Sequence, residues 1–328
     1  MQTAVALILF RRPELTARVF ERIRDARPPR LFLIADGPRP GNTDDARLCE
    51  EARAVVARVD WPCDVVRDFA DENLGLKRRI PSGLDGVFDQ VEEAIILEDD
   101  CLPHPSFFPY CEELLARYRD DERVVHISGS QLLPEPPKQW SYHFSRGPAV
   151  WGWATWRRAW RLFDVELAEW HALRRAERKA RLREMFEEED EQRHWGFVWD
   201  NSREIDNWDA QWSYAALSRG LLSIHPNCNL ISNIGFGEEA TNATGDPLGI
   251  AGRALDGISF PLEHPPEVRR EVEADRVASH LFRRPKYERL RRAAYHVLRA
   301  GGNALEYVPE PIRPKIRHRD RAGAQRPG

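Results

Sequence analysis

The run Ile95-Ile96-Leu97-Glu98-Asp99-Asp100 delivers three consecutive carboxylates directly after an apolar stretch. Negative charges that close repel one another unless a cation or a donor-rich ligand sits among them. Hard oxygen ligands with open positions suit Mn or Mg, and such an ion can hold a diphosphate. The plainer reading is that Asp99 or Asp100 caps a turn and the rest is solvated. The apolar run favours the metal reading, because a buried strand would then present the acids at its carboxyl end, where parallel sheets bind their ligands.

The elements that must position these acids alternate in the first half of the chain. Val5 to Phe10, Leu31 to Ala35, Cys63 to Val66, Ala94 to Leu97 and Val124 to Ile127 read as strands, with amphipathic stretches between them. Pro13 suits the first turn of a helix, and Asp36-Gly37-Pro38 is strong turn chemistry. Strands separated by helices imply an α/β fold with a mostly parallel, helix-covered sheet. From about residue 140 the texture changes. Nine of the 11 tryptophans fall between Trp151 and Trp212, around a charged helical stretch from about Glu166 to Arg193. The division expected is a nucleotide-binding half over 1–135, an acceptor half over 136–265 on the same sheet, and a basic extension over 266–328.

Composition narrows the function. The 328 residues are 42% hydrophobic and 31% charged, which describes a globular protein. With 49 Lys plus Arg against 53 Asp plus Glu, the net charge of -4 argues against a nucleic-acid partner. No apolar stretch approaches the roughly 20 residues of a membrane span, and the N-terminus lacks a secretion signal. Five cysteines without a C-x-x-C pair read as reduced thiols, so a cytoplasmic location is expected.

Several short segments occur together with the acidic triplet. Glu98-Asp99-Asp100 followed by Pro105-Ser106-Phe107-Phe108 resembles the glycosyltransferases of the GT-A fold, among them N-acetylglucosaminyltransferase I and bacterial family 2-like enzymes. Leu9-Phe10-Arg11-Arg12-Pro13, Ala35-Asp36-Gly37, Glu72-Asn73-Leu74-Gly75-Leu76, Trp151-Gly152-Trp153 and Trp208-Asp209-Ala210-Gln211-Trp212 match further segments in the same order, over about residues 4 to 245. The resemblance implies a hexosyltransferase that uses a nucleotide-sugar donor, a UDP-sugar above all, and a glycan, lipid-linked or glycoconjugate acceptor of the kind met in bacterial polysaccharide biosynthesis. It also implies Mn or Mg held by Asp100. Glu98 and Asp99 would contact the donor sugar and ribose, Arg12 the base and Asp36 the uracil ring, with Asn73, Lys77 and Trp153 also on the donor side. From its residues alone, Arg12 reads equally as a solvated helix-start residue, and Asp36 as the initiator of its Asp-Gly turn.

An inverting transfer needs a base for the acceptor hydroxyl. Asp209 is the candidate, with Trp208 and Trp212 beside it to exclude water. Asp206, three residues earlier, is the alternative. The packing reading makes the tryptophans a core stripe and Asp209 an N-terminal helix charge. Indole faces pack on sugar C–H surfaces, so Trp151, Trp153 and Trp156 are candidates for the acceptor groove, with Trp153 expected nearest the site and the others packed.

Two segments depart from the family pattern. Arg11 stands where relatives show Asn or Asp, which leaves open whether Arg11 or Arg12 meets the base, and Asn242 stands where they show His. The second departure keeps open an inactive homologue that binds nucleotide sugar. A sugar nucleotidyltransferase is the other enzyme reading, disfavoured because Arg-Arg-Pro, not a Gly-rich loop, follows the first strand. The glycines of Ile234 to Gly252 read either as a lid or as an ordinary long surface loop. Residues 283–328 hold 13 Lys/Arg against four Asp/Glu. Within them, Lys286 to Arg299 reads either as a helix packed on the domain or as a basic amphipathic helix in peripheral contact with the inner face of a membrane.

Overall fold

The computed structural model describes residues 1–236 and 252–282. The lid reading, the Asn242 substitution and the basic helix over 286–299 therefore lie outside the described residues, wholly or in the main. The strands are β1 (Ala4–Leu9), β2 (Arg30–Ala35), β3 (Asp64–Phe69), β4 (Glu93–Glu98), β5 (Cys101–Pro103), β6 (Val124–Ser128), β7 (Tyr142–Ser145), β8 (Trp153–Trp156), β9 (Leu222–Pro226) and β10 (Ile231–Asn233). Between them run α1 (Pro13–Ala26), α2 (Thr43–Val56), α3 (Leu76–Phe88), α4 (Phe107–Arg117), α5 (Arg157–Trp160), α6 (Ala168–Ala172), α7 (Arg175–Met185), α8 (Glu189–Asp200) and α9 (Asp209–Leu217), with α10 (Val272–Phe282) after the last strand.

Eight strands form one sheet in the order β3-β2-β1-β4-β8-β6-β9-β7, and β10-β5 form a two-stranded ribbon. β3, β2, β1 and β4 are mutually parallel, β8 runs against both β4 and β6, and β7 runs against β9. This is the α/β class implied by the GT-A resemblance, mostly parallel with helices on both faces. The central strands are continuous apolar runs because both faces are covered. Alternation sorts them: Val5, Leu7 and Leu9 pack with Val19, Phe20 and Ile23 of α1. Ala6 and Ile8 face the other way, onto Ile80 and Leu84 of α3 and Trp212 of α9. β3 is an edge strand, and its sequence Asp-Val-Val-Arg-Asp-Phe stays partly exposed. A third cluster, with Trp170, Phe186, Trp199 and Tyr214, fills the helical stretch α6 to α9.

Local chemistry fixes the helix starts. Pro13 opens α1, and Asn42 Oδ1 accepts the Asp45 N–H at 3.1 Å to cap α2. Among the described residues no helix is long and apolar enough to cross a membrane.

The boundary expected at residue 265 does not separate two packed units. Leu262 lies in the main core, and Phe144 of β7 bridges to Arg270. Asp275 of α10 is buried and accepts the Ser145 hydroxyl at 2.5 Å, and it also pairs with Arg270. Residues 266–282 thus belong to the folded body, tied on by a carboxylate that needs its partners to be buried at all.

Candidate active site

Register brings three strand ends side by side. Leu9 pairs with Ala35, and Ile8 with Glu98, so the chain leaves β1, β2 and β4 at one edge. The Asp36 N–H donates to the Leu9 carbonyl at 3.1 Å, and the Phe10 N–H donates to Asp99 Oδ2 at 3.1 Å.

At the end of β2, Asp36 is buried and its carboxylate accepts four hydrogen bonds. Oδ1 takes the N–H groups of Gly37 (2.9 Å) and Leu74 (2.8 Å). Oδ2 takes the Asn73 amide (2.9 Å) and the Gly75 N–H (3.1 Å). Asn73 also donates to the Gly37 carbonyl at 3.1 Å. Gly37 is required here, because a Cβ would stand 2.5 Å from the backbone of Glu72. Asp36 and Asn73 therefore come together as a clamp between β2 and the loop before α3. The clamp is reinforced by two arginines absent from the expected set. Arg53 donates to the carbonyls of Asp36 (3.2 Å) and Ala70 (2.6 Å), and the buried Arg79 to those of Ala35 (3.1 Å) and Asp68 (2.5 Å). No sequence signal marks them, since each acts on carbonyls of other segments.

The end of β4 differs. Next to Glu98, Asp99 and Asp100 share one guanidinium, whose Nη1 lies 3.3 Å from Asp99 Oδ1 and 2.8 Å from Asp100 Oδ2: that of Arg12. Arg12 is thus set on the acids, while Arg11 pairs with Asp45 of α2 at 3.0 Å. Burial, then the charges of Asp100, Asp99 and Asp209, push the Glu98 carboxyl well above the ordinary range. Asp99 is pushed up to about 6 by burial and by Asp100, with Arg12 and the Phe10 amide opposing. Desolvation works against the Arg12 charge, but Asp99 and Asp100 outweigh it and hold the guanidinium firmly protonated.

Behind the acids, the ribbon strand β10 continues into Ile234, whose N–H donates to the Asp100 carbonyl at 2.8 Å. Gly235 follows against the Asp100 side chain: a Cβ there would fall 2.3 Å from Oδ2. That contact escapes sequence reading, because 135 residues separate the two.

The acceptor-side residues divide. Asp209 opens α9, exposed, with Oδ1 accepting the Ala210 N–H at 2.9 Å, and its charge reaches Glu98. Asp206 accepts the Lys77 N–H at 3.1 Å, where its charge meets the first turn of α3, and Lys77 Nζ donates to the Ser202 carbonyl at 3.0 Å. Both Lys77 and Asp206 thus join α3 to the segment before α9.

Trp153 must be corrected. It is 0% exposed, stacked between His126 (5.0 Å) and Trp208 (5.7 Å), and cannot touch a donor or an acceptor. Its strand pairs with the middle of β4, Trp153 opposite Ile96, which places the indole inside the sheet layers. Trp208 and Trp212 are likewise core and do not wall off Asp209. Trp151, two residues before Trp153 and at the β4 carboxyl edge, is partly exposed and packs edge-to-face on Phe236 at 5.7 Å.

No family model and no curated protein matches the chain. Among solved structures it is similar to S. aureus TarS 1–349, at 8% identity over 51% of each chain with a TM-score of 0.34. The match thus spans about half of the TarS chain. It is also similar to apo mouse xyloside xylosyltransferase 1, at 11% identity over 67% of this chain and 82% of that one (TM-score 0.35). A UDP-glucose pyrophosphorylase bound to UDP-glucose gives 8% identity over 69% and 91% (TM-score 0.34). Superpositions this loose leave the function to be read from the side chains.

Those side chains fit a hard divalent cation. Among the described residues no three or more His, Cys, Asp or Glu groups form a ready-made metal cage. Mg and Mn do not need one: one or two carboxylates suffice where phosphate oxygens and water complete the shell. Asp100, whose side chain is 17% exposed in a cluster with excess negative charge, has the donor chemistry for that role.

Proposed function

We propose that the chain is a metal-dependent, inverting glycosyltransferase that moves a sugar from a nucleotide-sugar donor, a UDP-sugar by preference, to a glycan or glycoconjugate acceptor. The observation that carries this reading is the acid cluster at the carboxyl end of β4: Asp99 and Asp100 on one guanidinium with Glu98 beside them, and Asp209 close enough to be felt electrostatically. Such an imbalance in a half-buried site favours a ligand that brings positive charge. A cation held by Asp100 would neutralise the departing diphosphate without proton transfer.

The protein's own residues account for the rest. The clamp of Asp36 and Asn73 shapes the loop where a nucleoside would lie, with the Asp36 oxygens already committed to protein donors. Glu98 and Asp99 face the sugar and ribose. The acceptor oxygen attacks the anomeric carbon, the bond to the diphosphate breaks with its electron pair leaving on phosphate, and the acceptor proton passes to Asp209. Asp209 suits that step because it is exposed, where an acceptor can reach it.

A thermal-shift panel of nucleotide sugars, with and without Mn, tests the reading, since ligands that bind the native state raise the melting temperature. One UDP-sugar with Mn should raise it more than either alone, and Asp100→Asn should abolish the Mn-dependent part. No shift with any nucleotide sugar would overturn the proposal, and formation of a nucleotide sugar from sugar phosphate and triphosphate would replace it with a nucleotidyltransferase.

A further inference from the structure

Arg12 stands against carboxylates that lie far from it in the sequence. It precedes Pro13 at the start of α1, 87 and 88 residues from the carboxylates it touches. Its side chain is only 13% exposed, and one nitrogen reaches both Asp99 and Asp100. The remaining contacts of these acids hold them still. Asp99 Oδ2 takes the Phe10 N–H at 3.1 Å, Asp100 Oδ1 takes the Cys101 thiol at 3.4 Å, and Gly235 lies against the back of Asp100. The carboxylates are therefore held in place, and Asp100 Oδ2 already has the Arg12 guanidinium against it at 2.8 Å.

We propose that Arg12 is a built-in counter-ion that competes with the divalent cation for Asp100, and so sets a weak metal affinity in the donor-free protein. The inference rests on the metal reading of the acid cluster and deepens it. Two positive charges cannot share one carboxylate oxygen without strong repulsion, which a low-dielectric setting enlarges. A cation arriving alone must displace the guanidinium. A cation arriving with a diphosphate brings negative charge that a displaced guanidinium can pair with, so metal and donor bind together more readily than metal alone. Arg12 thereby couples the two ligands, and free Mn or Mg is held off until the donor comes.

Calorimetry with Mn alone, on the full chain, tests this. Arg12→Gln removes the charge and keeps a hydrogen-bonding group, and Arg12→Lys keeps the charge. We expect Arg12→Gln to bind Mn at least tenfold more tightly than wild type, and Arg12→Lys to stay within about threefold of wild type. We also expect added Mn to raise the melting temperature of Arg12→Gln more than that of wild type. Equal or weaker Mn binding by a folded Arg12→Gln would overturn the proposal while leaving the metal reading intact, provided that Asp100→Asn still abolishes binding in wild type. If Arg12→Gln alone does not fold, Arg12→Met is measured under the same criterion. Tighter binding by Arg12→Lys as well would overturn the competing-charge account. Absence of Mn binding in wild type and in every variant would overturn the metal reading together with the proposal.

Discussion

The ends of β2 and β4 lie at one edge of one sheet, and each presents aspartate, yet the two carry opposite electrostatics. The Asp36 carboxylate meets four N–H donors and, among the described residues, no ion-pair partner, and its acceptor capacity is spent inside the protein. Asp99 and Asp100 meet the Arg12 guanidinium with Glu98 beside them, and burial with mutual repulsion pushes Glu98 and Asp99 upward. The difference shows that residue type and position at a strand end do not make an acid reactive. The supply of donors around it does. A carboxylate saturated by amides is a structural clamp, whereas in an under-compensated group of carboxylates the charged form is disfavoured.

The largest expected effect extends the contrast to the acceptor side. Asp209→Asn should lower turnover by roughly 10²- to 10⁴-fold while donor affinity stays near wild type. Comparable loss of donor binding would move Asp209 into the clamp class. If Asp206→Asn were the inactive variant, with Asp209→Asn fully active, the base would be Asp206 instead.

The next effect concerns the far strands, where two buried histidines are hydrogen-bonded in their neutral form. His126 on β6 accepts the Trp212 indole N–H on Nδ1 at 3.2 Å, and its Nε2 donates to the Ala149 carbonyl at 3.0 Å. His225 on β9 donates to the Gly147 carbonyl at 2.8 Å and stacks with His143. Burial pushes His126 down to about 3 and His225 down to about 4. Both folded values lie below the unfolded one near 6.5, so their stability is fully present above that pH and is lost as pH falls toward 4 and then 3. At pH 5 the loss is about 2 kcal/mol for each, from 1.36 kcal/mol per unit. Urea unfolding at pH 7, 6 and 5 checks it: a His126→Gln, His225→Gln variant should show a flatter acid limb than wild type, and an equally steep limb would assign acid sensitivity to other groups.

The clamp itself comes next. Asp36→Asn puts an NH2 group against two N–H donors, and should cost about 2 to 3 kcal/mol of stability by denaturant unfolding. A loss below about 0.5 kcal/mol would mean that Asp36 is not the clamp the geometry describes. The smallest effect is at the acid cluster. Asp100→Asn should leave the metal-free protein within about 0.5 kcal/mol of wild type, or slightly more stable, because it relieves repulsion as it removes a partner of Arg12. A loss as large as that of Asp36→Asn would erase the contrast between the two strand ends.

Much of this site was legible in the chain because strand ends are local. Val5 to Phe10, Leu31 to Ala35 and Ala94 to Leu97 announce buried strands, and the acids and glycines after them announce a functional edge. The observed strands agree to within a residue at each end. The third strand runs longer than the apolar stretch at Cys63 to Val66, since an edge strand tolerates Arg67 and Asp68. The expectation for Trp153 fails because an indole next to a glycine looks alike in a groove and in a sheet. Only its pairing with Ile96 puts it inside.

The sequence by itself determined the sheet class, the three strand ends and the acids placed there, because period and turn chemistry act over a few residues. Tertiary structure decided which acid is saturated and which is not. Arg12 lands on Asp99 and Asp100, Arg11 on Asp45 and Gly235 behind Asp100, across separations that no local pattern encodes. Charge pairing depends on distance through space, and that distance exists only once β1, β4 and β10 have been brought to one edge of the fold.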